Sequence, residues 1–388
     1  MRSRICAVAI AFSLQTLTDP VLAHSPAPFS DFTNNTVFYP PADYTSWKTT
    51  YGRSLQLPDD SLLVTWENYP PEPPPADFPV FKSVDGGVTW VNYSVATDQV
   101  NNWGLRYQPH LYLLPQNFGG YAAGTILLAG ASVPDDLSKA WLDLYASTDG
   151  GYSWEFVSHM VYGPGPELAS NGDAAVWEPF LLMFDDQLVC YYSDQRDPSH
   201  GQKLSHITTR DLKTWSSPVD DVASAVYDDR PGMAIVAHIK STNRYILTYE
   251  VCTDGQGCQA HYKTSSSPLT FGSISGNGQA IISSNTGVLP GASPYVIWTP
   301  NPRKQDGSGI IIMNGESSKS LFLNDDSAGS DGWIELPIDQ LAAHSRMLSI
   351  INDNGKQKLL ITGAGVFDTS ADNFVNVGVM EIPTRRRC

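Results

Sequence analysis

The sequence predicts an all-β protein folded as a single six-bladed β-propeller, and three observations lead there. Helix signals are nearly absent, and short β-rich runs alternate with Gly, Pro, Asp, Asn and Ser turns along the chain. The octet Ser83-Val84-Asp85-Gly86-Gly87-Val88-Thr89-Trp90 returns as Ser147-Thr148-Asp149-Gly150-Gly151-Tyr152-Ser153-Trp154. A strand–turn–strand unit recurs at intervals of roughly 50 to 70 residues, close to one four-stranded propeller blade.

The octet reads as a β-hairpin turn. Its Asp carboxylate caps loop N–H groups, its Gly accepts positive φ, and its Trp packs beneath as an anchor between neighbouring sheets. Thr209-Arg210-Asp211-Leu212-Lys213-Thr214-Trp215 is a shortened form, Ser265-Ser266-Ser267-Pro268-Leu269-Thr270-Phe271 an eroded one, and Asp331-Gly332-Trp333 a remnant. The motif is structural and carries no chemistry. The opening strands of the six units lie near residues 53–57, 109–113, 178–182, 230–235, 293–297 and 345–350. A C-terminal strand over 376–382 and an N-terminal strand near 36–39 are expected to share a blade and close the ring.

Residues 1–23 read as a secretory signal peptide. Arg2 and Arg4 give a positive start, an apolar run follows over 5–14, and Val21-Leu22-Ala23 is a small-residue cleavage site. That run is too short to span a bilayer, so residues 24–388 form the mature, extracellular propeller. The sequons Asn34-Asn35-Thr36 and Asn92-Tyr93-Ser94 fit secretion, although such triplets also arise by chance. Of the five cysteines, Cys6 leaves with the signal. Cys252 and Cys258 flank a short polar loop that a disulfide would clip, Cys190 sits in an apolar strand as a buried thiol, and Cys388 is left unassigned. The net charge of −16 repels phosphate backbones and anionic membranes. It favours a neutral substrate, and no nucleic-acid or membrane partner is expected.

In a propeller the innermost strands line the central channel, so their ends converge at one mouth. Arg53, Arg230, Arg346 and Glu178 stand at such strand ends. The partner strands finish in Trp66-Glu67, Tyr192-Ser193-Asp194, Tyr249-Glu250 and Gly315-Glu316. Glu178, between Trp177 and Pro179, sits in apolar surroundings that raise a carboxyl pKa and suit a general acid. Glu250 ends an apolar strand near Arg230, a neighbour that keeps a carboxylate ionised for nucleophilic attack. Two facing carboxylates are what glycoside hydrolysis requires. The alternative for each is an Arg-paired structural residue at a blade edge.

The octets resemble the Asp boxes of the sialidase-like superfamily. With Trp177-Glu178-Pro179 in the third blade and Tyr249-Glu250 in the fourth, the mature chain is similar to the exo-α-1,5-L-arabinanases of glycoside hydrolase family 93. That resemblance implies a retaining enzyme releasing arabinobiose from the non-reducing end of linear arabinan. It implies Glu178 as acid/base and Glu250 as nucleophile, with carboxyl groups roughly 5–5.5 Å apart. Trp177 and Tyr249 would stack on sugar faces, or else be core aromatics. Arg53, His110, Asp194, Arg230 and Arg346 would bind hydroxyls. Against that, His110 reads equally as a hydrogen-bonded strand end, and Asp194-Gln195-Arg196-Asp197 as a salt-bridged turn.

Two rival readings stand beside this one. Three blade-start arginines suit a sialidase triad gripping a sugar carboxylate, but no acid is evident near Arg53. A non-catalytic carbohydrate-binding propeller would need no carboxylate pair. No zinc helix, Walker loop, dinucleotide motif or Cys/His cluster is present, so no metal or cofactor is expected. The partner is a polysaccharide or oligosaccharide, and the protein acts as a monomer. Inserts at 70–76 and 326–331 are candidates for the wall that blocks one end of the cleft.

Overall fold

The second strand of each repeat is apolar on both faces, which suits a strand clamped between two neighbouring sheets. In the computed structural model, Leu62–Asn68, Ile126–Ser132 and Gly309–Asn314 are buried at every residue. The structure describes residues 29–384 except 254, 317, 330, 331 and 354. The signal peptide expected over 1–23 and Cys388 lie outside the described residues.

Six four-stranded antiparallel sheets form the blades. Their inner strands are Thr49–Gln56, Leu105–Leu113, Val176–Phe184, Asp229–Ile239, Tyr295–Pro300 and Met347–Asp353. In chain order these define blades 1 to 6. The sixth blade takes its outermost strand, Phe32–Phe38, from the other end of the chain, and that strand pairs with Val375–Glu381 through contacts such as Phe32↔Val379 and Phe38↔Val375. Ring closure by the two termini is therefore as expected, with the N-terminal strand starting earlier than residue 36.

The repeated octets form matching turns between third and fourth strands. Asp85 accepts from the Thr89 amide at 2.9 Å and the Thr89 hydroxyl at 2.6 Å, and Ser83 Oγ donates to it at 2.8 Å. Asp149 repeats the set with Ser153 at 2.9 and 2.6 Å and with Ser147 at 2.8 Å. Gly87 and Gly151 sit at φ 89° and 88°, a region that costs glycine nothing and other residues strain. The Trp154 indole donates to Ser94 Oγ of the preceding blade, so the turn pins neighbouring sheets together. Cys252 and Cys258 are bonded across a hairpin of blade 4, and Cys190 is a buried free thiol. Among the described residues no helix is long and apolar enough to cross a membrane.

Because the Asp85 bonds are local and exposed, Asp85→Ala should lower unfolding free energy by about 1–2 kcal/mol. Catalysis should be untouched, which thermal melts beside a rate assay would show.

Candidate active site

Each inner strand has a non-glycine residue in the left-handed region within its first five residues or two residues before its start. These are Tyr51 (φ 49°), Gln108 (48°), Glu178 (64°), Met233 (60°), Ser293 (57°) and Ser345 (53°). In blades 1 to 4 the pairing slips at this point, between Thr50/Arg53, Tyr107/His110, Trp177/Phe180 and Gly232/Ile235. Each slip is a β-bulge, which kinks a strand and re-aims a side chain. Proline follows Gln108, Glu178 and Ser293, and it removes a ladder donor where the ladder is already broken.

The bulge amides point across to the preceding blade. Gln108 N donates to Glu67 at 3.1 Å, Met233 N to Ser193 Oγ at 3.3 Å, and Ser293 N to Glu250 at 2.8 Å. Glu67, Ser193 and Glu250 occupy one repeated position, opposite the residue that precedes their own blade's bulge. Glu178 is itself a bulge residue and reaches the same region from blade 3. Its Oε2 accepts from Ser193 Oγ at 2.6 Å and Met233 N at 2.9 Å, and its Oε1 accepts from the Tyr51 hydroxyl at 3.1 Å.

Glu178 and Glu250 face each other across Gly232. A Cβ at Gly232 would lie 3.4 Å from Glu250 Oε1, 3.5 Å from Glu178 Oε2 and 2.8 Å from the Gln202 amide. The missing side chain is what lets the two carboxylates approach. Burial first, then the charge of Glu178, pushes Glu250 up to about 7, with His344 and the Ser293 amide opposing. A raised Glu250 is the direction expected where a second carboxylate faces it in a buried site, and two facing carboxylates are what glycoside hydrolysis uses.

Two further carboxylates, two rings and Ser293 complete the mouth. Glu67 is 1% exposed, accepts from the Tyr69 hydroxyl, and is raised by burial to about 7. His344 Nε2 lies 3.0 Å from Tyr51 Oη, while its Nδ1 lies 3.0 Å from Glu316 and 2.9 Å from Ser293 Oγ. Burial pushes the Glu316 carboxyl up, but the His344 hydrogen bond and charge outweigh it and hold the group below its ordinary value. Tyr51 and His344 precede Arg53 and Arg346 in sequence. Sequence reasoning stopped at the arginines, because the bulge that turns Tyr51 and Glu178 inward leaves no mark in strand periodicity.

The remaining site expectations divide. Trp177 is half-buried, and its indole donates to Gln202 Oε1 at 3.1 Å, as Arg230 Nη2 does at 3.2 Å. These two residues stand together beside the carboxylates at the seam of blades 3 and 4. Arg53 is 5% exposed and spends its guanidinium on the Ser345 carbonyl at 2.8 Å and hydroxyl at 2.6 Å, locking blade 1 to blade 6. Arg346 is fully buried, donates to the Ser320 and Leu341 carbonyls at 3.0 Å each, and is lowered by burial to about 10.

Measured from their bulges, the three arginines are not equivalent. Arg53 follows Tyr51 by two, Arg346 follows Ser345 by one, and Arg230 precedes Met233 by three. The expected triad therefore does not assemble, which removes the ground for a sialidase site. Tyr249 is a core residue, its hydroxyl given to the Asn277 carbonyl at 2.5 Å, because it alternates with Glu250 to the opposite side of the sheet. His110 is buried, accepts from the Leu181 amide at 3.4 Å, and is held neutral by burial and Arg53, which lower it to about 3. Asp194 is clamped by Arg196 at 2.8 and 2.7 Å, the salt-bridged turn rather than a sugar ligand.

Of the two inserts, 70–76 leaves the mouth end of its strand. There Glu72 pairs with Arg106, and a cavity of about 450 Å³ opens beside Trp103 and Pro134. The other, 326–331, opens after Leu321–Asp325, whose end lies at the face of the ring opposite the mouth, and residues 330 and 331 of it lie outside the described residues.

With this geometry established, comparison with solved structures decides the family. The chain is 41% identical to the family 93 α-L-arabinofuranosidase of Fusarium graminearum, with a TM-score of 0.85 over 91% of this chain and 98% of that one. The chain belongs to glycoside hydrolase family 93. The Penicillium chrysogenum α-L-arabinanase matches with the same identity, coverage and TM-score, and both relatives have been solved with arabinobiose. A microbial sialidase, 15% identical with a TM-score of 0.57 over 89% of this chain and 68% of its own, shares the fold alone. No protein-family model and no curated protein sequence matches. As a family 93 member the chain is a glycoside hydrolase, and the non-catalytic alternative falls with the sialidase one.

Two predictions rest on the pair. Gly232→Ala places a methyl against both carboxylates, so kcat should fall at least about tenfold with little change in melting temperature. Glu250 is raised above its unfolded value, so its contribution to stability is full below about pH 4.5 and is lost as pH rises through about 7. Glu250→Gln should accordingly melt several degrees above the natural chain at pH 8, and the difference should close below pH 4.5.

Proposed function

We propose that this family 93 hydrolase is a secreted exo-α-1,5-L-arabinanase that releases arabinobiose from the non-reducing end of linear arabinan with retention of configuration. The observation that carries the proposal is the Glu178–Glu250 pair at the channel mouth, in a chain 41% identical over 91% of its length to an arabinanase solved with arabinobiose.

Glu250 attacks the anomeric carbon while Glu178 gives its proton to the departing glycosidic oxygen. Glu178 then draws a proton from the water that releases the product. Trp177, half-exposed beside Glu178, offers its ring to a sugar face, and Arg230 supplies a donor next to it. Each of these groups comes from one chain, consistent with a monomer. The amino-terminal signal implies export. Of the two sequons, Asn92 lies exposed on an outer strand, whereas the Asn34 amide is committed to the Asp339 carbonyl at 3.0 Å. Asn92 is the better glycan acceptor.

Incubation with linear arabinan should yield arabinobiose as the first and main product by anion-exchange chromatography. Glu250→Ala should abolish release, and Glu178→Gln should lower kcat by about 10²–10⁴-fold. A sialoside should not be cleaved. Random oligomers from linear arabinan would contradict exo action.

A further inference from the structure

Three donors converge on Glu178, and hydrogen bonds to a carboxylate favour its ionised form. A general acid needs the reverse, so the source of its proton is a physical question. Two of the donors, Ser193 Oγ and Met233 N, meet Oε2. Oε1 meets Tyr51 Oη at 3.1 Å, and Tyr51 Oη meets His344 Nε2 at 3.0 Å. Tyr51 has a single proton to place between these two neighbours.

With His344 Nδ1 donating to Glu316 at 3.0 Å, that constraint leaves two consistent arrangements. With Glu178 ionised, Tyr51 donates to Oε1 and must accept from His344 Nε2–H. Nδ1 then also carries a proton, which it gives to Glu316 at 3.0 Å, so His344 is a cation. With Glu178 protonated, Oε1–H donates to Tyr51, Tyr51 donates to a bare Nε2, and His344 is neutral with its proton on Nδ1. The Nδ1 side is unchanged between the two, anchored by Glu316 and by Ser293 Oγ at 2.9 Å.

We propose that Tyr51 and His344 form a proton relay that loads Glu178. The proton on His344 Nε2 passes to the Tyr51 oxygen as the Tyr51 proton passes to Glu178 Oε1. His344 becomes neutral, Glu178 becomes a carboxylic acid, and no charge is left over. The relay is closed to solvent: Tyr51 and His344 are 3% and 5% exposed, and the Phe367 ring lies 4.0 Å from His344. The charged groups facing it are Glu67, Glu178, Glu250 and Glu316 from blades 1, 3, 4 and 5, with the Arg53 guanidinium 5.5 Å from the Tyr51 ring.

The role of Glu178 as the acid rests on the proposed arabinanase reading, but the relay is testable without turnover. Nuclear magnetic resonance of selectively labelled protein follows the Glu178 carboxyl carbon and the His344 ring nitrogens against pH. In the natural chain both signals should change over the same two steps. Tyr51→Phe keeps the ring and every charge and removes only the bridging hydroxyl, so each signal should then move in one step of its own. Independent single steps in the natural chain would overturn the relay. So would a shared pattern that survives in Tyr51→Phe, which would assign the coupling to charge acting through space.

Kinetics supply a second readout. Tyr51→Phe and His344→Gln should each lower kcat on arabinan by about 10²-fold. The same variants should change cleavage of a nitrophenyl glycoside, whose leaving group needs no proton, by less than about threefold. Combining them should cost nothing further. Equal losses on both substrates would reduce these residues to a structural role.

Discussion

The site depends on one repeated joint: a left-handed residue near the start of each inner strand whose amide, in blades 2, 4 and 5, reaches a side chain of the preceding blade. A non-glycine residue in that region costs about 1–3 kcal/mol. Six of them are kept in one ring. The compensation is visible where Gln108 N, Met233 N and Ser293 N meet Glu67, Ser193 and Glu250. Those bonds join adjacent sheets and fix the groups that face the channel. The same bulge that seals a blade to its neighbour also turns Glu178 and Tyr51 inward.

Seen this way, the channel mouth is one structural position used with different side chains. The strand-two carboxylate in blade 4, Glu250, faces a second acid because Glu178 lies opposite it across Gly232. Its counterpart in blade 1, Glu67, is tied to Tyr69 instead. Arg53, two residues beyond its bulge, holds Ser345 and closes the ring between blades 1 and 6. Acidic groups gather at the mouth because backbone amides, Tyr51, Ser193 and His344 are already aimed there.

The fold was legible in the sequence because it is written in local signals repeated along the chain: the Ser-Asp-Gly-Trp turns, the short strands and the spacing between units. That Glu178 and Glu250 would face each other could be anticipated because a carboxylate beside Trp177-Pro179, or ending the 245–249 strand, conflicts with folding alone. The supporting shell could not. Alternation in a strand assigns faces only while the register holds, and the bulges break it in the stretches that matter. Tyr249 therefore stayed open between a sugar face and the core, where it packs, and Tyr51 and His344 were passed over for the arginines beside them. Arg346 shows the matching limit, since nothing in composition reveals that the Ser320 and Leu341 carbonyls already satisfy it, whereas the Asp194–Arg196 turn was visible as an alternative.

A double displacement with Glu178 as acid/base and Glu250 as nucleophile fixes the configuration of the first sugar released. Proton magnetic resonance of linear arabinan in the first minutes of hydrolysis, before mutarotation, tests it most directly. The α-anomer of the released disaccharide should appear first and relax toward equilibrium. A β-anomer appearing first would show a single displacement by water and contradict it.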